Sequence, residues 1–569
     1  MKKIAIIGCG PRGLHSLECL LLSLSRKRDQ PQINISIYEK EPYLGSGQVW
    51  SLDQPDSNWL NIADRALANL KGREKIDFSS FQIPAFPSFI RWMEDVYDHY
   101  LDEEVDAFPS RNKMGRYLNE RFKSIAEVLI KQDILAINVT LVTQVKFLNH
   151  KFLVTDTSGQ ECEFDECLLT IGHQSTEDDS QIASWKVDCE KSSKILYDNP
   201  YESKLIHQID PDVTVGLRGF GLAMIDIMRQ LTIEKGARFK KTHNSWKLNY
   251  LPSETSIQKI IPFSIDGLPL VPKPLGKKVD VFFKPSELQM EEFKNKIGNS
   301  LIEASSLNNI EFLLDAFVPI AVNKFIEHPF SKVQEDQVTV EIVAKEWLND
   351  MSYEHDLILN TKIDTKSYIT QTIEMSLGLS AVTLDYVLGQ VWRHFQPTMY
   401  DLFSHCDLHD LVMAQVIALD ESTKRYSYGP PVESMMQLLS LIENNIINTD
   451  FLANPNITCK EDYWLVSKGE NSVQCAVMIN TVLNPPQLSE INSDLVKSLL
   501  EDDLLEPVTS DLGIATKENG TIQLSHKNDD IQLAALGRNC KGSVMGVDAI
   551  LECFGDRIHK WSNDIVNRL

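Results

Sequence analysis

Residues 3–7 read KIAII, an apolar run with no polar alternation. Such a run predicts a short strand covered on both faces. Gly8-Cys9-Gly10-Pro11-Arg12-Gly13 follows at once. Leu14, Leu17, Leu21 and Leu24 then recur at helical spacing through residues 14–25. Residues 33–38 form a second apolar, β-rich run that ends at Glu39. The order strand, glycine turn, helix, strand, acid predicts a βαβ unit within about forty residues.

Further along, residues 213–217 predict another strand, followed by Arg218-Gly219-Phe220-Gly221-Leu222-Ala223-Met224. Helical patterning covers 286–316, 340–350, 369–395, 401–418 and 432–445. Ser286 with Gln289 three residues on predicts a capping box at the first of these. Residues 457–466 and 472–482 read as strands. The helical segments interrupt the strand–glycine turn–helix repeats, so an inserted helical layer is expected, entered through a rigid Pro269-Leu270-Val271-Pro272-Lys273-Pro274 loop. Asp502-Asp503 and Asp529-Asp530 read as solvated acids. No array repeat and no low-complexity tract is seen.

Composition narrows the class. The 569 residues are 43% hydrophobic and 24% charged, ordinary for a soluble globular protein. Fifty-six basic against 80 acidic side chains leave a net charge of -24, which repels phosphate backbones and anionic lipid. Neither nucleic acid nor membrane is expected as a partner; a small-molecule substrate is. No apolar run reaches the ~18 residues of a membrane span. Met1-Lys2-Lys3 and Cys9 mimic an export signal, but four apolar residues between them fall short of the ~7–15 needed. Ten cysteines without framework spacing suggest free thiols and a cytoplasmic location. Cys162 and Cys167 are too far apart for a C-x-x-C centre. His405, Cys406 and His409 lack supporting metal motifs, so no metal is expected.

The opening motif has chemical tasks. Gly8 permits the tight turn, Gly10 lets a diphosphate approach the backbone, and Gly13 lets the helix pack against the sheet. Pro11 and Arg12 begin the helix, whose free amides and positive dipole end attract an anion. Glu39, followed by Lys40, can accept from an adenosine ribose and would repel a 2′-phosphate. A second glycine pair, Gly45-Ser46-Gly47, precedes Gln48, Trp50 and Asn61, which favours FAD over NAD because FAD needs more backbone contact beyond its first half.

GCGPRGLHSL, the acid-ending strand, GSGQVW and Leu60-Asn61 resemble the bacterial FAD-NAD(P)-binding proteins, distant relatives of flavin-dependent amine-hydroxylating monooxygenases. Phe108-Pro109-Ser110-Arg111 with Gly115-Arg116-Tyr117-Leu118 is similar to a further segment of that family. So are Leu168 through Gly172-His173, Asn249 through Ser253, Tyr428 through Pro431, and Leu533 through Gly537-Arg538 with Gly542 and Asp548. The resemblance implies an α/β, Rossmann-like two-dinucleotide flavoprotein fold with a helical insertion. It implies FAD-domain parts at 1–200 and 511–569, a degenerate NAD(P)-binding-like region at 201–280, a mainly helical insertion at 281–455 and a strand-containing return at 456–510.

Arg111, Gly172, Gly537, Arg538 and Asp548 would join the opening turn in holding FAD. Gly219 and Gly221 would receive NADPH or NADH, with Arg218 or Arg238 near phosphate, although Met224 replaces the third glycine. The second turn is therefore either a functional site or a vestige. The implied activity is an NAD(P)H-dependent monooxygenase acting on an amine or another small nucleophile. The alternatives are a flavin dehydrogenase or oxidase without oxygen insertion, and a non-catalytic FAD-binding redox sensor. Arg393, Arg425 and Arg538 are candidates for a substrate carboxylate, against ordinary ion pairs for the first two. No catalytic base is indicated, and oligomeric state is not readable.

Overall fold

The opening apolar run forms the strand Lys2–Ile7, central in a five-stranded sheet. The order across that sheet is Leu533–Ala535, Glu166–Leu169, Lys2–Ile7, Ile33–Tyr38, Leu135–Asn138, and every pairing is parallel. Ile4 and Ile6 face a core shared with Leu14, Leu17 and Leu21 of the helix Pro11–Ser25. Ala5 and Ile7 face a second core under the antiparallel meander Val142–Leu148, Lys151–Asp156, Glu161–Phe164. Burial on both sides is why the run shows no alternation. This computed structural model describes residues 1–568 except 103, 191, 202–205, 207 and 526–530. The Asp529-Asp530 pair lies outside the described residues.

The chain's end returns to its beginning. Helix Arg557–Arg568 lays Trp561, Ile565 and Val566 into the same core as the Pro11–Ser25 leucines. The Ser23 and Ser562 hydroxyls meet at 3.2 Å, and Ser23 Oγ donates to Asn563 at 2.9 Å.

A second parallel sheet orders Ile195–Tyr197, Val477–Asn480, Thr214–Arg218 and Lys259–Phe263. The two strands expected at 457–466 and 472–482 are each divided. Asn456–Cys459 and Trp464–Lys468 form a hairpin, because polar Lys460-Glu461-Asp462 turns the chain there. Asn471–Cys475 pairs antiparallel with that hairpin, whereas Val477–Asn480 enters the parallel sheet; the chain changes sheets at Ala476.

Between these strands lie the helices Glu287–Ile302, Glu311–Glu327, Gln337–Asn349, Thr365–Ser376, Leu384–Phe403, Asp410–Ser427 and Val432–Glu443. The Ser286–Gln289 capping box is present. Three expected spans differ. The 286–316 helix is interrupted after Ile302, where Asn308 and Asn309 precede the next helix. The 369–395 helix is broken by Gly378, whose φ of 66° ends the first part. Asp401 belongs to the preceding helix, and the next starts at Asp410 behind an N-cap at His409. Most of this layer packs on its own core around Phe317, Trp347, Trp392 and Phe395. Among the described residues no helix is long and apolar enough to cross a membrane.

Candidate functional site

A cleft of about 1240 Å³ opens beyond the carboxyl ends of both parallel sheets, reaching Ile7, Tyr38 and Asn480. Clefts at that end of an open parallel sheet are where such folds bind ligands. Its first wall is the opening turn. A Cβ on Gly8 would stand 2.4 Å from the Thr170 carbonyl oxygen, and one on Gly13 would stand 2.4 Å from the Gly8 carbonyl oxygen. Helix and strands therefore touch backbone to backbone.

Gly10 is the N-cap, and Pro11 occupies the first turn, where a missing amide costs nothing. The next amides have no partner within the helix and carry the positive end of its dipole. The second glycine loop closes over this turn. The Gly45 amide donates to the Cys9 carbonyl at 2.6 Å, and a Cβ on Gly47 would lie 3.3 Å from the Gly10 Cα. The Ser46 hydroxyl is turned inward to the Tyr43 carbonyl at 2.6 Å. What remains at the mouth is backbone without side chains, a cradle suited to a diphosphate.

Glu39 ties the two strand ends together. One carboxylate oxygen accepts the Cys9 amide at 2.7 Å and the other accepts the Glu41 amide at 3.1 Å. Each oxygen keeps a second acceptor site, and Glu39 lines the cleft. Lys40 is exposed beside Glu41. Gln48, Trp50 and Asn61 line the next stretch. Gly115 makes room for the Trp50 carbonyl, which would be 1.8 Å from a Cβ there. The Asn61 side chain donates to the Tyr428 carbonyl at 3.4 Å, and its own carbonyl accepts from Lys273.

The C-terminal segment completes the wall. The Gly172 carbonyl accepts from Asn539 at 2.9 Å. Arg12 crosses Gly537 and donates to the Val547 carbonyl at 2.9 Å. Arg538 pairs with Asp548, which also receives Lys424 at 2.9 Å. Burial raises the Asp548 carboxyl, but Lys424 and Arg538 outweigh it and hold the group well below the usual carboxylate range. His173 also lines the cleft, with an exposed side chain.

Several expected ligand groups are already engaged. Arg111 lines the cleft, yet it pairs with Asp226 at 2.7 Å and donates to the Tyr201 hydroxyl at 3.2 Å and the Trp59 carbonyl at 3.3 Å. It ties helix Arg111–Lys131 to helix Leu222–Thr232 across the two nucleotide-type units. Arg218 is held by Asp179 and Gln181, both at 2.7 Å, and by Asn480 at 3.0 Å. Arg238 is exposed on a separate hairpin and does not line the cleft.

The second turn keeps Gly219 at a φ of 117° and Gly221 as helix N-cap with open space around it. Met224 stands where Gly13 stands in the first turn, and its side chain is fully buried among Ile227 and Met228. A side chain of that size cannot reproduce the backbone contact that Gly13 makes.

Arg393 pairs with Asp280, and Arg425 with Asp266, so both act as ion-pair partners. His405, Cys406 and His409 do not converge: His409 caps a helix and Cys406 donates to the Phe403 carbonyl at 3.3 Å. All ten cysteines are free of disulfides. Sequence reasoning missed Lys424, His173 and Lys541 as cleft residues. No local motif marks Lys424 and Lys541, which arrive by packing of the helical layer and the last segment; His173 ends the 168–173 segment already noted. Gly429 marks Tyr428, since a Cβ there would lie 1.7 Å from the Val271 carbonyl oxygen.

A backbone-lined anion cradle at the carboxyl end of a central parallel strand, an acid at the end of the second strand and a second glycine pair define an FAD/NAD(P)-binding fold of the Rossmann-like α/β kind. Residues 5–174 match the sequence model described as FAD-NAD(P)-binding. A nitrosuccinic acid synthase of Aspergillus oryzae is 26% identical over 256 residues, 44% of this chain and 38% of that protein. An L-aspartate N-monooxygenase of Streptomyces davaonensis is 25% identical over 276 residues, 44% of this chain and 41% of the relative. The chain thus spans about two fifths of the length of these relatives. A crystal structure of OTEMO with FAD and NADP aligns over 99% of this chain and 84% of its own, at 10% identity and a TM-score of 0.42.

The residues present fit FAD. The cradle has no side chain to block a diphosphate, Glu39 presents spare acceptor sites to a ribose, and the cleft exceeds the ~300–1,000 Å³ of ordinary small-ligand pockets.

Proposed function

We propose that the protein is an FAD-dependent NAD(P)H monooxygenase that hydroxylates a small amine. The observation that carries the proposal is the glycine turn, where Gly10 and Gly47 pack backbone on backbone, next to a cleft of about 1240 Å³ that Gly8, Glu39 and Gln48 line. The N-monooxygenase names of the partial relatives support the amine. In this reading the Gly8–Gly13 turn and the Gly45–Gly47 loop bind the diphosphate, and Glu39 orients the adenosine. Arg538 and Asp548 hold the far end of the cofactor. When bound, FAD supplies hydride acceptance and oxygen activation. The domain division at 1–200, 201–280, 281–455, 456–510 and 511–569 belongs to the same proposal.

Lys424, Arg538 and Lys541 line the cleft and are paired with Glu421 and Asp548. The aspartate N-monooxygenase names of the partial relatives favour an amine that also carries a carboxylate. The helical layer contributes Lys424 and Tyr428 to the cleft, and a layer in that position excludes water from the reacting groups.

A second reading has its own observation. Arg218 is spent on Asp179, and Met224 fills the third glycine position, so the pyridine-nucleotide turn is weakened. That favours a flavoprotein reduced by another donor, or one without turnover. Anaerobic titration of FAD-loaded protein with NADPH and NADH separates the two. The proposal expects bleaching of the flavin absorbance, then hydroxylated product on admitting air with amino acids bearing a side-chain carboxylate. No bleaching by either nucleotide overturns it in favour of the second reading. Bleaching with no amine oxidation for any substrate tried favours a dehydrogenase or oxidase.

A further inference from the structure

On the outer side of the helix Pro11–Ser25, away from the cleft, His15, Cys19 and His559 bring their ligand atoms within 4.8 Å of one another. Among the described residues this is the one group of three or more His, Cys, Asp or Glu that does so. His15 and Cys19 are four residues apart on one helix and thus share a face. His559 comes from helix Arg557–Arg568, which packs along it. Cys19 is buried and the two histidines are partly exposed.

The separations have a chemical meaning. Zn–S of ~2.3 Å and Zn–N of ~2.0–2.1 Å at a tetrahedral angle place sulfur and nitrogen about 3.6 Å apart. The Cys19 sulfur is 3.4 Å from His15 Nε2 and 3.7 Å from His559 Nε2. An ion can enter between these three atoms once the His15 ring rotates to aim Nε2 at it.

A second, independent observation is the orientation of His15. Its Nδ1 lies 3.2 Å from the Glu18 carboxylate, and the sulfur is 3.4 Å from Nε2 and 3.9 Å from Nδ1, so Nε2 is the nearer nitrogen and the one left free of the carboxylate. A carboxylate behind a histidine sets the tautomer and raises the basicity of the ligating nitrogen, as in metal centres. Glu18 is itself fixed by Arg121, through two contacts of 2.8 Å, and by Arg73 at 3.3 Å. Phe554 covers the His15 ring at 4.9 Å between centroids.

We propose that His15, Cys19 and His559 form a binding site for one divalent, borderline-soft cation of the zinc class, with water in the fourth position. Two imidazoles and one thiolate select such an ion over magnesium or calcium, which prefer oxygen. Binding replaces the Cys19 S–H proton with the metal, and the proton leaves to solvent. The ion clamps the C-terminal helix onto the helix that opens the dinucleotide turn, so metal binding stabilises the joint between the two ends of the chain. The expectation from motif spacing was no metal, because a ligand 540 positions away leaves no local signature.

The test uses Co²⁺ as the probe, added to the full-length protein after chelator treatment. One equivalent should produce the near-ultraviolet thiolate-to-metal charge-transfer band and the visible bands of a tetrahedral ion, and Zn²⁺ should abolish both. Cys19→Ser should remove the charge-transfer band. His559→Gln, at a partly exposed position, should fold normally by circular dichroism and bind Co²⁺ with a loss of affinity of at least ~10–100-fold, the range seen even for outer partners. Zn²⁺ should raise the melting temperature of the unsubstituted protein and not that of His559→Gln. Absence of the charge-transfer band in the unsubstituted protein, or equal Co²⁺ affinity in His559→Gln, overturns the proposal.

Discussion

The Arg12 side chain lies across Gly537, so closely that a Cβ at 537 would stand 2.9 Å from Arg12 Cδ and 3.3 Å from one guanidinium nitrogen. Arg12 then reaches the Val547 carbonyl. Residues 525 positions apart thereby join the diphosphate turn to the closing segment. Gly537 also holds a φ of 113°, which side chains rarely adopt. Gly537→Ala is expected to push Arg12 aside and loosen both walls of the cleft. The purified variant should retain less FAD than the parent, read from the ratio of flavin to protein absorbance.

Gly13 and Gly221 are expected to behave oppositely. A Cβ at Gly13 meets the Gly8 carbonyl oxygen, so Gly13→Ala forces the helix off the strand and costs about 1–3 kcal/mol by overpacking. Gly221 has nothing within 4 Å and an ordinary backbone, so Gly221→Ala should leave the urea midpoint unchanged. If the second turn receives NADPH, the same Gly221→Ala protein should show a raised KM for NADPH. An unchanged KM would count against binding there.

Asp280 joins the first unit to the helical layer. It accepts Arg65 at 3.0 Å, Arg393, and His394 at 3.3 Å. Burial raises its carboxyl, but Arg393 and His394 outweigh that and hold it well below the usual range. Asp280→Asn leaves the half-buried Arg393 without its anion and should destabilise the protein by roughly 1–3 kcal/mol, since breaking a largely buried pair costs more than the pair contributes. A lowered urea midpoint with unchanged slope is the expected signature.

Glu552 accepts the Ala549 amide at 2.8 Å and faces the Tyr428 hydroxyl at 3.4 Å. Burial, with Asp548 alongside, pushes its carboxyl from 4.5 up to about 7. Between those values the folded state holds the proton that the unfolded chain has lost. Stability therefore falls as pH rises from 4.5 to about 7, and this contribution is constant on either side. Glu552→Gln should flatten that fall, measured as the difference in urea midpoint between pH about 5 and pH about 8.

The opening βαβ unit was legible in the sequence because its signals are local. An apolar run, a glycine spacing and a helical stripe each constrain backbone within a few residues. The capping box at Ser286 was legible for the same reason. The helix breaks after Ile302 and at Gly378, and the sheet change at Ala476, were not. There the choice between continuing and turning depends on which distant surface the segment covers.

The sequence by itself determined the glycine cradle, the acid at the end of the second strand and the α/β class. These follow from backbone sterics that no distant residue can alter. Only the tertiary structure decided that Arg111 and Arg218 are committed to Asp226 and Asp179, that Lys424 and His173 enter the cleft, and that His559 stands beside Cys19. Such pairings join segments tens to hundreds of residues apart. They are set by how layers pack to bury apolar surface, and side-chain chemistry along a linear chain carries no record of that.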